Sequence, residues 1–233
     1  MRVPMGKSII KTGIIGAVLL FSMTTNASLI EHNGYELDTD TNIVTGAGLE
    51  WLQWDETVGH SIDSALSSYS GWRLATNTEM SSLYNDFSFG LTFDANENTA
   101  QSVNQAFTAD ENSTANKFIS IFGDTYKAAG FTYNSSDPFS QSLALFGGDS
   151  DGDSKFNRAE VHDDYINHVT SFESAGRAFI DLDSFSSHSA NPANSGYGIA
   201  LVRVASVPEP GSLALLGLGL AGLSFTRKKQ SKR

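Results

Sequence analysis

Residues 48–54 read Gly-Leu-Glu-Trp-Leu-Gln-Trp, and residues 70–76 read Ser-Gly-Trp-Arg-Leu-Ala-Thr. In the first stretch Leu49, Trp51 and Gln53 alternate with Glu50, Leu52 and Trp54, the period of an extended chain. Just upstream, Tyr35 and Leu37, then Ile43 and Val44, bracket a polar turn at 38–42, so residues 35–54 are expected as strands. Between the two stretches Ile62, Ala65, Leu66 and Tyr69 fall at helical spacing, with Gly71 as the stop. The second stretch ends on Thr76, which caps a further helix while Glu79 returns the contact three positions on. Met80, Leu83, Tyr84 and Phe87 form the apolar face of that helix. Strands and helices in this mixture call for an α+β fold.

Farther along, the signals thin out. Residues 88–116 are rich in Asn, Thr, Ser and acidic groups and read as loops, with a short helix around 102–107. Phe118, Ile119 and Phe122 make another short helical face that Gly123 ends. The run 197–205 (YGIALVRVA) is apolar at nearly every position but Arg203 and reads as a central strand.

Composition sets the outer bounds. The 233 residues include 15 Lys and Arg, 26 Asp and Glu and no cysteine, for a formal charge of -11. Without cysteine there is no disulfide scaffold, thiolate metal site or cysteine nucleophile. The acidic balance argues against nucleic acid as a partner, because cations supply most phosphate-backbone affinity.

The two ends carry most of the charge asymmetry. Arg2, Lys7 and Lys11 precede the apolar run 14–21, and Thr25 and Ala27 set a cleavage site before Ser28. Residues 1–27 thus form a secretory signal peptide, a short apolar helix removed by signal peptidase, with Met1 and Met5 both usable as starts. At the other end Pro208-Glu209-Pro210 precedes the apolar run 213–225 and the basic residues Arg227, Lys228, Lys229, Lys232 and Arg233. Thirteen residues of helix span roughly 20 Å, short of a hydrocarbon core of about 30 Å. The basic tail stays on the cytoplasmic side by the positive-inside preference. A retained tail anchor is the other outcome, since bilayer thinning absorbs small mismatches.

Motif, short apolar helix and basic stop together resemble the PEP-CTERM sorting signal of diderm bacteria that make extracellular polysaccharide. The same segment also goes under the description ice-binding protein C-terminal domain, but no flat Thr-rich repeat stands behind that description here. The resemblance implies processing near Pro208-Glu209-Pro210 by exosortase, a membrane cysteine transpeptidase. It also implies a transient inner-membrane intermediate and delivery to the cell surface or extracellular matrix. Residues 28–207 are then the exported body, with 208–233 the sorting signal. That body keeps 7 of the basic and 25 of the acidic residues, a formal charge of -18.

Within the body, Gly48-Leu-Glu-Trp51, Ser70-Gly-Trp-Arg-Leu-Ala-Thr76, Glu79, Leu83 and the closing Ala200-Leu-Val-Arg203 form a second set. They resemble the C-terminal domain of bacterial collagen-like surface proteins, where Gly-Leu-x-Trp and Asp-Trp-Arg-Leu-Pro open the fold. The resemblance implies a C-type-lectin-like α+β fold whose N- and C-terminal strands pair. Gly71 and Ala75 depart from that pattern, and the stabilising cysteines are missing.

Three sets of residues stand as site candidates. Trp51, Trp54 and Trp72 offer aromatic faces for a carbohydrate platform, or fill the core beside the early helices. Asp149, Asp151, Asp153, the Lys155 carbonyl, Asn157 and Glu160 occupy relative positions 1, 3, 5, 7, 9 and 12 of an EF-hand calcium loop. Val161, Tyr165, Val169 and Phe172 then suggest an exiting helix. Ser154 stands where glycine makes the sharp turn, and the same residues also suit a solvated acidic loop.

Catalytic signatures are missing: the five histidines are scattered, and no nucleophile elbow, phosphate loop or zinc-protease motif occurs. The sequence therefore points to an exported surface or matrix protein with a noncatalytic structural or interaction role. The alternatives are a Ca²⁺-dependent module for extracellular polysaccharide and a polysaccharide-active enzyme.

Overall fold

A computed structural model describes residues 29–96, 99–104, 112–130, 139–147, 156–164, 175–185 and 196–205. Both terminal signals, 1–27 and 208–233, lie outside the described residues. Among the described residues no helix is long and apolar enough to cross a membrane.

The expected strands over 35–54 form a meander. β1 (Leu29–His32), β2 (Tyr35–Asp38), β3 (Ile43–Gly46) and β4 (Leu49–Leu52) pair in sequence, each antiparallel to the last. Asn33 and Gly34 close the first hairpin with φ of 50° and 84°, and Ala47 and Gly48 close the third with 51° and 77°. Two positive φ values in a two-residue loop match the right-handed twist of the flanking strands. Alternation then sends Leu37, Val44 and Trp51 to the inner face, where all three are buried.

After β4 a 3-10 turn (Trp54–Thr57) leads to α1 (Ile62–Ser68), capped by the Ser61 side chain. β5 (Arg73–Leu74) is followed by α2 (Asn77–Phe87), which has the full capping box between Thr76 and Glu79. α3 (Thr114–Phe122) starts on Ser113 and stops at Gly123, whose φ is 91°. One short helix, α4 (Thr125–Ala128), follows.

A second sheet takes the rest of the body. β6 (Gln101–Asn104), β7 (Gln141–Phe146), β8 (Phe156–Asp164), β9 (Ala175–Phe185) and β10 (Gly198–Ile199) stand in the order β10-β7-β8-β9-β6. Two expectations change here. Residues 101–104 are not a helix but an edge strand paired to Arg177–Ile180 of β9. No helix begins at Val161 either, because 156–164 is a strand hydrogen-bonded on both sides, while Tyr165, Val169 and Phe172 lie outside the described residues.

The closing run 197–205 is two strands rather than one. β10 lies parallel to β7 in the second sheet, whereas β11 (Leu201–Val204) enters the first sheet between β4 and β5. Ala200 is the crossing point: its N–H donates to the Leu145 carbonyl at 2.9 Å, and its own carbonyl accepts from the Ala75 N–H at 2.8 Å. The opening Gly-Leu-Glu-Trp strand therefore pairs with the closing strand, Trp51 opposite Val202 and Glu50 opposite Arg203.

Between the sheets lies an aromatic core. α3 packs on β1 and β2 of one sheet and on β7, β8 and β9 of the other. Phe118 and Phe122, one helical turn apart, stack at 4.6 Å and receive Trp54 at 5.2 and 5.1 Å. Phe87, Tyr84 and Trp51 complete the cluster around them. Rings at such spacings with edge-on or tilted planes add to the area term of burial. A smaller core of Leu52, Ile62, Ala65, Leu145, Phe156, Ile199 and Leu201 lies under α1.

Candidate functional site

Of the calcium-loop residues, Asn157 and Glu160 fall within the described residues. Asp149, Asp151, Asp153 and Lys155 lie outside the described residues, in the connection between β7 and β8. Strands, not helices, flank that connection. Asn157 pairs with Phe146 and Glu160 with Leu143, so the two ligand candidates project to opposite faces of the sheet. Asn157 is buried on the inner side, and its Nδ2 donates to Asn77 Oδ1 at 3.0 Å. Glu160 on the other side lies 3.9 Å from both the Arg158 Nε and the His162 Nε2. Asn157 and Glu160 thus lie on a strand, at what would be the ninth and twelfth positions of the loop, while its other four positions lie outside the described residues. Among the described residues no group of three or more acidic or histidine side chains is placed to hold a metal.

The tryptophans also part company. Trp51 and Trp54 are 1% and 0% exposed, so the flat exposed pair that a sugar platform needs is not formed. Their indole Nε1 atoms are buried without a hydrogen-bond partner, an unfavourable arrangement that the ring packing offsets. Trp72 is half-buried at the end of the first sheet, with the Arg203 guanidinium 4.4 Å above its ring. Arg203 in turn donates to Glu50 Oε2 at 2.6 Å. Arg73 grips both oxygens of Glu79, holding that carboxyl below its ordinary range and fixing the start of α2.

One row was not singled out in advance. Arg158, Glu160 and His162 lie on one face of β8, with Phe179 opposite Glu160 and Arg177 opposite His162 on β9. The Phe179 ring carries the Arg177 guanidinium at 4.1 Å and that of Arg158 at 4.9 Å. Arg158 Nη1 also donates to the Tyr197 hydroxyl at 3.2 Å. Alternation of Arg158, Glu160 and His162 at period two was the available signal, hidden by the calcium-loop spacing laid over it. Glu160 and His162 side chains are only 12% and 5% exposed, so the row acts first as an internally compensated layer of the sheet.

At the turn after β4, Asp55 is a second unusual acid. Burial, with help from the neighbouring Glu56 and Asp124 charges, lifts its carboxyl to about 6. Its Oδ1 is buried and accepts no hydrogen bond, and it abuts Gly123, where any Cβ would collide with the carboxyl group. Gly123 thus has two reasons to be glycine: the positive φ that ends α3 and the room left for Asp55.

No curated protein and no solved structure matches the chain, and neither comparison confirms the C-type-lectin-like resemblance. Residues 206–228 match the family model of the PEP-CTERM protein-sorting motif. The last described residue, Ala205, still donates its N–H to the Gly48 carbonyl at 3.0 Å, so the motif begins where the closing strand ends. That motif implies an exported chain, sorted at the membrane towards the cell surface and processed by exosortase.

Proposed function

We propose that residues 28–207 are a noncatalytic structural or interaction domain delivered to the cell surface or extracellular matrix. The observation that carries this reading is the junction at Ala205, where a two-sheet body passes directly into a PEP-CTERM sorting motif. The composition of the body supports it. A formal charge of -18 over 180 residues keeps an exported domain soluble and repels other polyanions. The polar contacts also support it, since Glu50, Glu79 and Asn157 are engaged with Arg203, Arg73 and Asn77 in holding strands and helices together.

A glycan array probed with the secreted protein, with and without chelator, tests this against its rivals. Absence of saturable binding, with the protein recovered in the surface or matrix fraction, is the expected result. Saturable binding that chelator abolishes would replace the proposal with a Ca²⁺-dependent carbohydrate-binding module. Release of shortened oligosaccharides from matrix polysaccharide would replace it with a polysaccharide-active enzyme.

A further inference from the structure

β1 ends the first sheet, and no strand lies beyond it among the described residues. Its backbone therefore has one side facing β2 and one side open. The two-residue loop Asn33-Gly34 makes His32–Tyr35 a hydrogen-bonded pair, and alternation makes Ile30–Leu37 the next. The N–H and C=O groups of Leu29 and Glu31 are then the ones turned to the open side. Such a row is a ready template for another strand. Of the strands that end the two sheets, β1 alone also shows an exposed large apolar side chain, Leu29 at 55%.

Glu31 and Glu36 stand directly opposite each other on the outer face of the same hairpin. They form a non-hydrogen-bonded pair, in which Cα atoms are about 4.5 Å apart and side chains meet most closely. Like charges so placed destabilise a sheet. Both are exposed, and among the described residues neither has an ion pair. The next residue along the row, Thr45 on β3, brings no charge, and Glu50 beyond it is already engaged by Arg203. Within one copy of the domain the pair only repels.

A second copy gives the repulsion a use. Two β1 strands can pair antiparallel about a two-fold axis at Ile30, which sets the open groups of Leu29 against those of Glu31 in the other copy. This edge is self-complementary, and wherever copies of the chain gather, another β1 is the edge it meets most often. In that pairing Glu31 would stand between Glu36 of its own hairpin and Leu29 of the second copy. It would lose water on one side and face a like charge on the other. Burying a charge without a counterion is costly, and charged side chains on an edge strand prevent edge-to-edge joining in this way.

We propose that the open edge of β1 is a pairing surface for a second copy of this chain, and that Glu31 and Glu36 hold it shut. The domain stays a monomer although its edge is open, which suits a chain delivered in many copies to one surface.

Full-length protein in excess detergent, with more micelles than chains, is followed by sedimentation velocity. Wild type should stay monomeric, and the double variant Glu31→Thr with Glu36→Thr should dimerise at concentrations where wild type does not. Adding Leu29→Pro should return that variant to a monomer. Leu29 opens β1 and its N–H faces away from β2, so proline removes an edge donor and leaves the β1–β2 ladder whole. Asp40→Asn with Asp63→Asn removes as much charge from two other exposed positions and should stay monomeric. Circular dichroism melts check the folding, and relief of the like-charge pair should leave the threonine variant at or above the wild-type midpoint. Wild type that dimerises as readily as the threonine variant overturns the proposal, as does a threonine variant that stays monomeric. Association that survives Leu29→Pro places the contact elsewhere, and equal association of the Asp40 and Asp63 variant makes net charge the cause; either result overturns it. A threonine variant that melts below wild type overturns it too, because the two carboxylates were then not opposed.

Discussion

Replacing Thr57 by valine strikes the joint between the two sheets. Thr57 follows β4 of the first sheet, and its fully buried Oγ1 accepts the N–H of Ile199, in β10 of the second, at 2.6 Å. The same hydroxyl lies 2.9 Å from the Trp54 carbonyl and 3.2 Å from that of Ile199, so its proton also has an acceptor. Valine keeps the shape of the side chain but removes the acceptor, and leaves a backbone N–H buried and unpaired. That costs about 1–3 kcal/mol. Serine keeps the hydroxyl and loses one methyl, a change of about 0.8 kcal/mol. In a domain of this size each kcal/mol moves the melting temperature by about 2–4 °C. A central cost of about 2 kcal/mol for valine thus becomes a drop of about 4–8 °C, with serine losing about 2–3 °C. Circular dichroism melts of detergent-solubilised full-length protein measure both, and urea titrations with unchanged slope show that the two-state comparison holds. A valine variant as stable as wild type, or less perturbed than serine, refutes the claim that this hydroxyl joins the sheets.

Other expectations follow from the same packing. Trp54→Ala empties the centre of the aromatic cluster and should cost about 3–5 kcal/mol in a urea titration, whereas an exposed sugar-platform residue would leave the midpoint unmoved. Asp55 is raised to about 6 from an ordinary 3.8, so the native state holds its proton more tightly than the unfolded chain. Its penalty is absent below about pH 4 and grows to its full value as pH rises through 6. Asp55→Asn should therefore melt higher than wild type at pH 7.5, with the advantage gone at pH 4. An advantage that persists at pH 4 would mean that the charge is not the cause. Ala47 has a φ of 51°, a region that costs an alanine about 1–2 kcal/mol. Ala47→Asn should gain up to about 1 kcal/mol in denaturant titration, and a loss would show that the hairpin relies on the alanine side chain.

Local signals were read well where local chemistry decides the structure. The capping box at Thr76 and Glu79, the Gly123 stop and the strands of 35–54 all follow from contacts within a few residues. Pairing between distant segments was the hidden part. Gln101–Asn104 is a polar run without a strong period, and it is a strand because Arg177–Ile180 lies beside it. Tyr197–Ala205 reads as one strand, yet Ala200 divides it by bonding Leu145 in one direction and Ala75 in the other. No composition rule marks that crossing. In β8 two periods competed over the same residues. The calcium-loop spacing and the helical spacing from Val161 drew attention, while the period-two row of Arg158, Glu160 and His162 is the one the sheet uses. The sorting motif needed no fold at all, because its recognition resides in order and composition.

The most direct test of the whole account is an intact-mass measurement of the protein recovered from the surface of exosortase-positive cells. The account expects a species that begins at Ser28 and ends near Pro208-Glu209-Pro210, absent from cells lacking exosortase, where a longer species stays with the membrane. Full-length protein at the surface, with residues 211–233 still attached in both strains, would contradict it.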